Sequence, residues 1–182
     1  MARQLTAGLF SSADGVVESP DKFQFDSFDD DLGGIMMAFM GSTTSAIMGR
    51  VTYSEWAGYW PTANDGGFEL FINPLEKFIA SRTLTEPLEW QNSKLIQGDL
   101  ESFVRELKAG EGGEIAVMGS LNVTRQLVRA GLIDRLSLIV HPVFAGKGRH
   151  LFEPTDDPTR LTLVDSVRTS AGNVVNTYAP RS

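Results

Sequence analysis

An α/β fold with a mainly parallel mixed sheet and a C-terminal antiparallel hairpin is what this sequence predicts, on three observations. Short apolar runs alternate with amphipathic helical faces through most of the chain. Two of those runs end in a glycine directly before a helix, at Gly49 and at Gly119. From Leu132 onward, strand patterns follow one another and finish on a hairpin signal.

Arg3 to Ser12 alternates, with Leu5, Ala7 and Leu9 on one side, and closes on Ser11-Ser12-Ala13-Asp14-Gly15, a first strand entering a loop. Val16 to Phe28 mixes Pro20, Phe23, Phe25 and Phe28 with acids, the composition of a loop that packs on something, a lid over a pocket being one form. Asp29-Asp30-Asp31 precede a helical face of Ile35, Met36, Phe39 and Met40. Acids at a helix start are favoured by the dipole and the open amide hydrogens, so capping is one reading of them and ligand contact another. Gly41 and the Ser-Thr-Thr that follows end this helix before a strand, Ser45 to Met48.

Gly49 then opens a helix whose Tyr53, Trp56 and Trp60 fall at i, i+3 and i+7. A glycine there lets a ligand approach the backbone, and the first helical turn offers unpaired amides and the positive end of the dipole, so an anion is favoured. Phosphate is the obvious candidate. Arg50 adds a forked cation and Thr52 a hydroxyl in the same turn. The alternative is a plain strand-to-helix corner with Arg50 solvated and the aromatics in the core.

After Trp60-Pro61, Asn64-Asp65-Gly66-Gly67 reads as a loop, and Phe68 to Pro74 carries no clear pattern. Lys77 to Thr83 reads as a short buried strand with Ser81 and Arg82 at its carboxyl end, where open α/β sheets bind their ligands. Lys94 to Gln97 is a further strand, and Leu100, Phe103, Val104 and Leu107 mark a helix. Glu114 to Met118 is a strand running into Gly119-Ser120 and then a helix with Val123, Leu127 and Val128 on one face, a second anion-accepting helix start. Gly131 ends that helix and Leu132 to His141 alternates as a strand. Gly146-Lys147-Gly148 lacks the GxxxxGK[ST] spacing of a phosphate loop. Leu161 to Val167 and Val174 to Tyr178, around Ser170-Ala171-Gly172-Asn173, form the hairpin.

A length of 182 residues fits one domain, 1–182, with a sizeable core. A net charge of -7 without any basic run argues against nucleic acid, so an anionic cofactor must be held by local groups. With no cysteine, and with His141 and His150 outside any metal-binding spacing, neither thiol chemistry nor a metal site is expected. No apolar run reaches membrane-spanning length and no leader pattern is present, which makes the cytoplasm the expected location.

Together, Ser12-Ala13-Asp14-Gly15, Ile47-Met48-Gly49-Arg50-Val51-Thr52-Tyr53 with Trp60-Pro61, Ala80-Ser81-Arg82-Thr83, Val117-Met118-Gly119-Ser120-Leu121, and Leu132-Ile133-Asp134-Arg135 running to Gly148 resemble the dihydrofolate reductase-like superfamily. The branch they resemble is that of the RibD C-terminal, or pyrimidine reductase, domain of riboflavin biosynthesis enzymes. The resemblance implies a three-layer α/β/α arrangement and NADPH bound across the carboxyl ends of the strands. It assigns Gly49, Arg50 and Thr52 to the cofactor's phosphates, with Arg50 the partner of the 2'-phosphate, and Ser81 and Arg82 to the adenosine side. It assigns Met118, Gly119, Ser120 and Leu121 to the turn under the pyrophosphate and nicotinamide, and Ala7 to the nicotinamide carboxamide.

On the substrate side the resemblance implies Asp31 as the catalytic carboxylate and Asp14 in contact with the substrate's hydroxyls, while Phe28 and Trp60 are read from the sequence as the substrate-side lining of an apolar pocket. Two departures stand out: Met118 replaces the first of two adjacent glycines, and three aspartates occupy the region where one is usual. Hydride transfer from NADPH to a pterin-, pyrimidine- or ribityl-type substrate is the expected activity, with an acid in an apolar pocket of Phe28 and Trp60 relaying the proton. The alternative is a non-catalytic NADP(H)-binding protein, a sensor or a partner-binding dimer. A Rossmann dehydrogenase is disfavoured because no GxGxxG follows the first strand. The resemblance also implies a homodimer paired through late strands.

Overall fold

The computed structural model describes residues 2–64, 66–153 and 156–181. Asp65 of the expected 64–67 loop, and Met1 and Ser182 at the ends of the expected domain, lie outside them. The backbone contacts sort into two compact units, one made of the chain up to Leu5 with Ser42–Leu132, the other of Thr6–Gly41 with Ile133 onward.

The first unit holds strands β2 (Thr43–Gly49), β3 (Glu76–Ala80), β4 (Ser93–Leu95) and β5 (Glu114–Val117), with helices α2 (Arg50–Ala57), α3 (Phe68–Ile72), α4 (Leu100–Ala109) and α5 (Leu121–Arg129). Its strands run parallel in the order β4-β3-β2-β5. Strand order therefore departs from chain order between β2 and β5. The crossovers β2-to-β3 and β4-to-β5 run in opposite senses, so right-handed connections put α2 and α4 on opposite faces of the sheet. Both faces are thus covered, and the strands read as nearly continuous apolar runs: Ala46, Ile47, Met48, Ile79, Ile115 and Ala116 are all inaccessible to solvent.

Arg3 bolts this unit at its lower edge. Its guanidinium donates to Gly113 O at 2.8 Å, Thr44 Oγ1 at 3.0 Å and Ser45 Oγ at 2.5 Å, tying the starts of β2 and β5 together. Lys77 is buried too. Its ammonium donates to the carbonyls of Ile72, Asn73 and Leu75 behind α3 and sits 4.6 Å from the Trp90 ring centre, while burial pushes its pKa down to about 8.

The second unit holds β1 (Leu5–Ser12), α1 (Asp30–Ser42), β6 (Arg135–His141), β7 (Leu161–Arg168) and β8 (Val174–Pro180), its strands in the order β1-β6-β8-β7. β1 and β6 are parallel, whereas β8 is antiparallel to both β6 and β7. This is the mainly parallel mixed arrangement with a C-terminal antiparallel hairpin that the strand patterning predicts. Helix α1 packs Leu32, Ile35 and Met36 on Ile139 and Val175, with Phe10 at the margin.

Element boundaries shift where a local hydrogen bond outcompetes the pattern. The helix after Gly49 stops at Ala57, with Gly58 at its C-cap, so Trp60 lies in the following turn and not on the expected helical face. The strand expected over 77–83 ends at Ala80, because the Ser81 hydroxyl accepts from the amides of Thr83 and Leu84 and starts a turn. Strand β6 begins at Arg135 instead of Leu132, since the amides of Gly131 and Leu132 still donate to Val128 and Leu127 and finish α5. Among the described residues no helix is long and apolar enough to cross a membrane.

Candidate functional site

Three chain corners line the carboxyl edge of adjacent parallel strands in the first unit. Register pairs Gly49 with Ala80 and Ile47 with Val117, and the Met118 amide donates to Ile47 O at 3.0 Å. Gly49-Arg50, Ser81-Arg82 and Gly119-Ser120 are consequently neighbours at the ends of β2, β3 and β5. Ligands of open α/β sheets bind in the crevice outside such an edge, where strand order departs from chain order.

Two of the corners touch. A Cβ on Gly49 would overlap Ser120 Oγ and lie 2.6 Å from Ser120 Cβ, so no larger residue fits there without movement. A Cβ on Gly119 would lie 3.1 Å from both Thr52 Oγ1 and Thr52 Cγ2, and Gly119 has φ +71°. Gly119 thus meets two constraints, a left-handed backbone and a close approach by α2. Ser120 follows with φ 68° at the N-cap of α5, an unusual conformation for a serine, and its side chain makes no capping bond.

The first-turn amides of α2 and α5 therefore open at one edge. Neither helix has an acidic residue in its first turn, nor a side-chain cap, so both positive ends remain available to an external anion. Arg50 is exposed on the first turn of α2, and Arg82 is exposed beyond β3. Among the described residues neither guanidinium has a hydrogen-bonded or ion-paired partner. Thr52, Met118 and Leu121 are buried behind them. Two glycine corners packed against each other, two uncapped helix starts and two unpaired guanidinium groups fit a dinucleotide bearing several phosphates.

The remaining predicted residues are divided between the two units. Ala7 is buried in β1, opposite Leu136 in the register with β6. Trp60 lies in the first unit, its ring centre 4.7 Å from that of Phe68 and 5.0 Å from that of Tyr59. Phe28, in the second unit, is 51% exposed with its ring 6.4 Å from Phe10.

Asp14 is engaged by its own loop. Its carboxylate accepts from Ser12 Oγ at 2.5 Å, Ala145 N at 2.9 Å and Gly146 N at 2.7 Å, which brings its pKa down to about 2. Asp31 is exposed and accepts from Ser170 N at 2.8 Å and Ser170 Oγ at 2.5 Å, while Asp29 accepts from the Leu32 amide and from Ala171 N. The two aspartates fasten the start of α1 to the β7-β8 turn.

A buried polar cluster at His141 gave no sequence signal beyond the histidine itself. Its Nδ1 lies 2.6 Å from Ser27 Oγ and its Nε2 3.4 Å from the Gln24 amide nitrogen, and the Ser27 hydroxyl donates to Gln24 O. That chain of donors assigns the proton to Nδ1 and satisfies the neutral ring.

The RibD C-terminal domain family matches residues 3–175. A curated relative, "Uncharacterized protein YyaP" of Bacillus subtilis (strain 168), is 26% identical over 181 residues, covering 97% of this chain and 94% of the relative. The crystal structure of a putative riboflavin biosynthesis protein from Shewanella sp. PV-4 superposes with a TM-score of 0.76 at 20% identity, each chain fully covered. A pyrimidine reductase-like protein from Corynebacterium diphtheriae gives 0.65 at 14% identity, over 99% of this chain and 92% of that one. A Thermotoga maritima diaminohydroxyphosphoribosylaminopyrimidine deaminase/5-amino-6-(5-phosphoribosylamino)uracil reductase gives 0.67 at 14% identity, this chain covering 57% of its length. These structures share the dihydrofolate reductase-like fold, and with the match over nearly the whole sequence the chain belongs to the RibD C-terminal domain family, a reductase-like family.

Proposed function

We propose that the protein is an NADPH-dependent reductase acting on a small pterin-, pyrimidine- or ribityl-type substrate. The observation that carries this reading is the meeting of the two glycine corners, where the Gly49 hydrogen faces Ser120 and the Gly119 hydrogen faces Thr52. In this reading the amides after Gly49 and Gly119 hold the pyrophosphate, Arg50 pairs with the 2'-phosphate, and Ser81 and Arg82 flank the adenosine. Met118 and Leu121 close the apolar side, and family resemblance adds Ala7 beside the carboxamide.

When bound, the reduced nicotinamide supplies a hydride. The chain supplies orientation and a positive potential that an acidic protein otherwise lacks. On the substrate side, Phe28 and Trp60 are the apolar residues the sequence suggests for ring contact, and family resemblance assigns Asp31 to the proton. Asp14 acts there as a positioning residue, through the 145–146 backbone it holds.

A second reading, a non-catalytic NADP(H)-binding protein, is favoured by one observation: the bonds of Asp31 go to the Ser170 turn. One experiment separates the two. The protein is titrated calorimetrically with NADPH, and loss of the near-ultraviolet absorbance of the reduced nicotinamide is then followed with a panel of pterins, pyrimidines and ribityl compounds. The reductase reading expects binding and turnover of at least one compound, abolished or strongly slowed by Asp31→Asn. Tight binding with no turnover on any compound supports the second reading, and no binding contradicts both.

A further inference from the structure

In the second unit the loop after β1 and the loop after β6 line a half-open cleft of about 460 Å³, a volume typical of small-molecule sites. Its lining includes Ser19, Lys22, Phe25, Phe144, Lys147 and Gly148. Four features of this lining need a common explanation.

The first is aromatic exposure. Phe25 is 75% exposed and Phe144 81% exposed, so two rings from different loops stand in water beside the same cleft. The second is charge. Lys22 and Lys147 have no hydrogen bond or ion pair to another described residue, and the one carboxylate of the lining, Glu18, is bound by Arg149 at 2.7 Å. Lys22 acts on that carboxylate only as the weakest of several influences. The cleft is thus left with two unpaired ammonium groups in a chain of net charge -7.

The third is backbone strain. Ser19 at φ 50° and Phe25 at φ 44° are two of the four left-handed residues other than glycine among the described residues, and for a phenylalanine that conformation is a clear outlier. The fourth is bracing of the walls. The Ala13 amide donates to Val143 O, the Val17 amide to Arg149 O, and the Asp14 carboxylate takes the Ala145 and Gly146 amides. These bonds hold the two loops together, and Ser19 itself accepts from the Lys22 amide at 3.0 Å.

We infer that this cleft is a binding site for a small flat aromatic ligand bearing a phosphate or carboxylate. The ring lies against Phe25 and Phe144, where it removes apolar surface from water. The anionic group is held by Lys22 and Lys147, whose ammonium groups act as point charges and suit an oxyanion without demanding a fixed bidentate geometry. The glycine corners lie in the other unit and the test needs no cofactor, so its failure leaves the reductase reading standing.

Phenyl phosphate is the probe, titrated into the full chain at low salt with backbone amides followed by two-dimensional nitrogen-proton NMR. The expected result is saturable shifts confined to residues 18–25 and 143–148. Inorganic phosphate alone and phenol alone each bind at least about tenfold more weakly. Lys22→Gln, Lys147→Gln and Phe144→Ser, all at exposed positions and each checked for an unchanged amide spectrum away from the cleft, each weaken phenyl phosphate by about tenfold. Any one of four results overturns the proposal: no saturable shift, shifts mapping elsewhere, equal binding of inorganic phosphate, or unchanged affinity in both lysine variants. So does a shift of the same amides with protein concentration in the absence of probe, which would make this face a contact between copies.

Discussion

At the scale of single residues, the site rests on the missing side chain at Gly49. The overlap of any Cβ with Ser120 predicts that Gly49→Ala destabilises the fold by about 1–3 kcal/mol and displaces the α5 corner, with cofactor binding lost together with stability. Gly33 is the control. It sits inside α1, and a methyl group added there would meet nothing within 4 Å, so Gly33→Ala should stabilise by about 0.5–1 kcal/mol through the unfolded chain and helix propensity. Chemical denaturation of both variants checks the contrast. Gly49 and Gly119 were legible in the sequence because a glycine between an apolar run and a helix is a local signal. The strained φ of Ser120 was not, since nothing in Gly-Ser-Leu distinguishes an ordinary cap from one pressed against another corner. Asp31 is legible in part: its sequence position is that of a family carboxylate, while its bonds to Ser170, 139 residues away, carry no local sequence signal.

At the scale of elements, β6 ends in the buried His141, and the loop leaving β1 is packed onto it. Burial pushes this imidazole below its ordinary value, against a smaller opposing effect of Asn173. A folded-state pKa lowered in this way means that the unfolded chain takes up the proton first. The contribution to stability is present above the unfolded value of about 6.5 and is lost as pH falls through the folded value. Protonation would also set an N–H against the Gln24 amide, the donor that now faces Nε2. Thermal unfolding of wild type and His141→Gln across this range should therefore show wild-type stability falling with pH more steeply than that of the variant. Parallel curves would contradict the assignment. Strand and helix order followed from apolar periodicity in the sequence except at α3, which lies in the 68–74 stretch that carries no clear pattern. Boundaries such as Ala80 and Ala57 did not, because the Ser81 turn and the Gly58 cap are settled by hydrogen bonds that periodicity does not encode.

At the scale of the whole molecule, β7 is the end strand of its unit, exposing Leu163, Val164 and Val167. An uncovered apolar edge strand invites pairing, and pairing with a second copy about a two-fold axis removes two such edges at once. Sedimentation should show a dimer for the wild type and a monomer for Leu163→Lys. A monomeric wild type would contradict this. The claim on which the function depends is narrower, that the corners at Gly49 and Gly119 form one cradle for NADPH with Arg50 reading its 2'-phosphate. Calorimetric titration of wild type and Arg50→Ala with NADPH and with NADH tests it most directly. The account predicts that the variant loses at least about tenfold in NADPH affinity while NADH binding hardly changes, as removal of a charge-assisted bond of about 1.5–3 kcal/mol requires. An unaltered preference for NADPH over NADH in Arg50→Ala would contradict it.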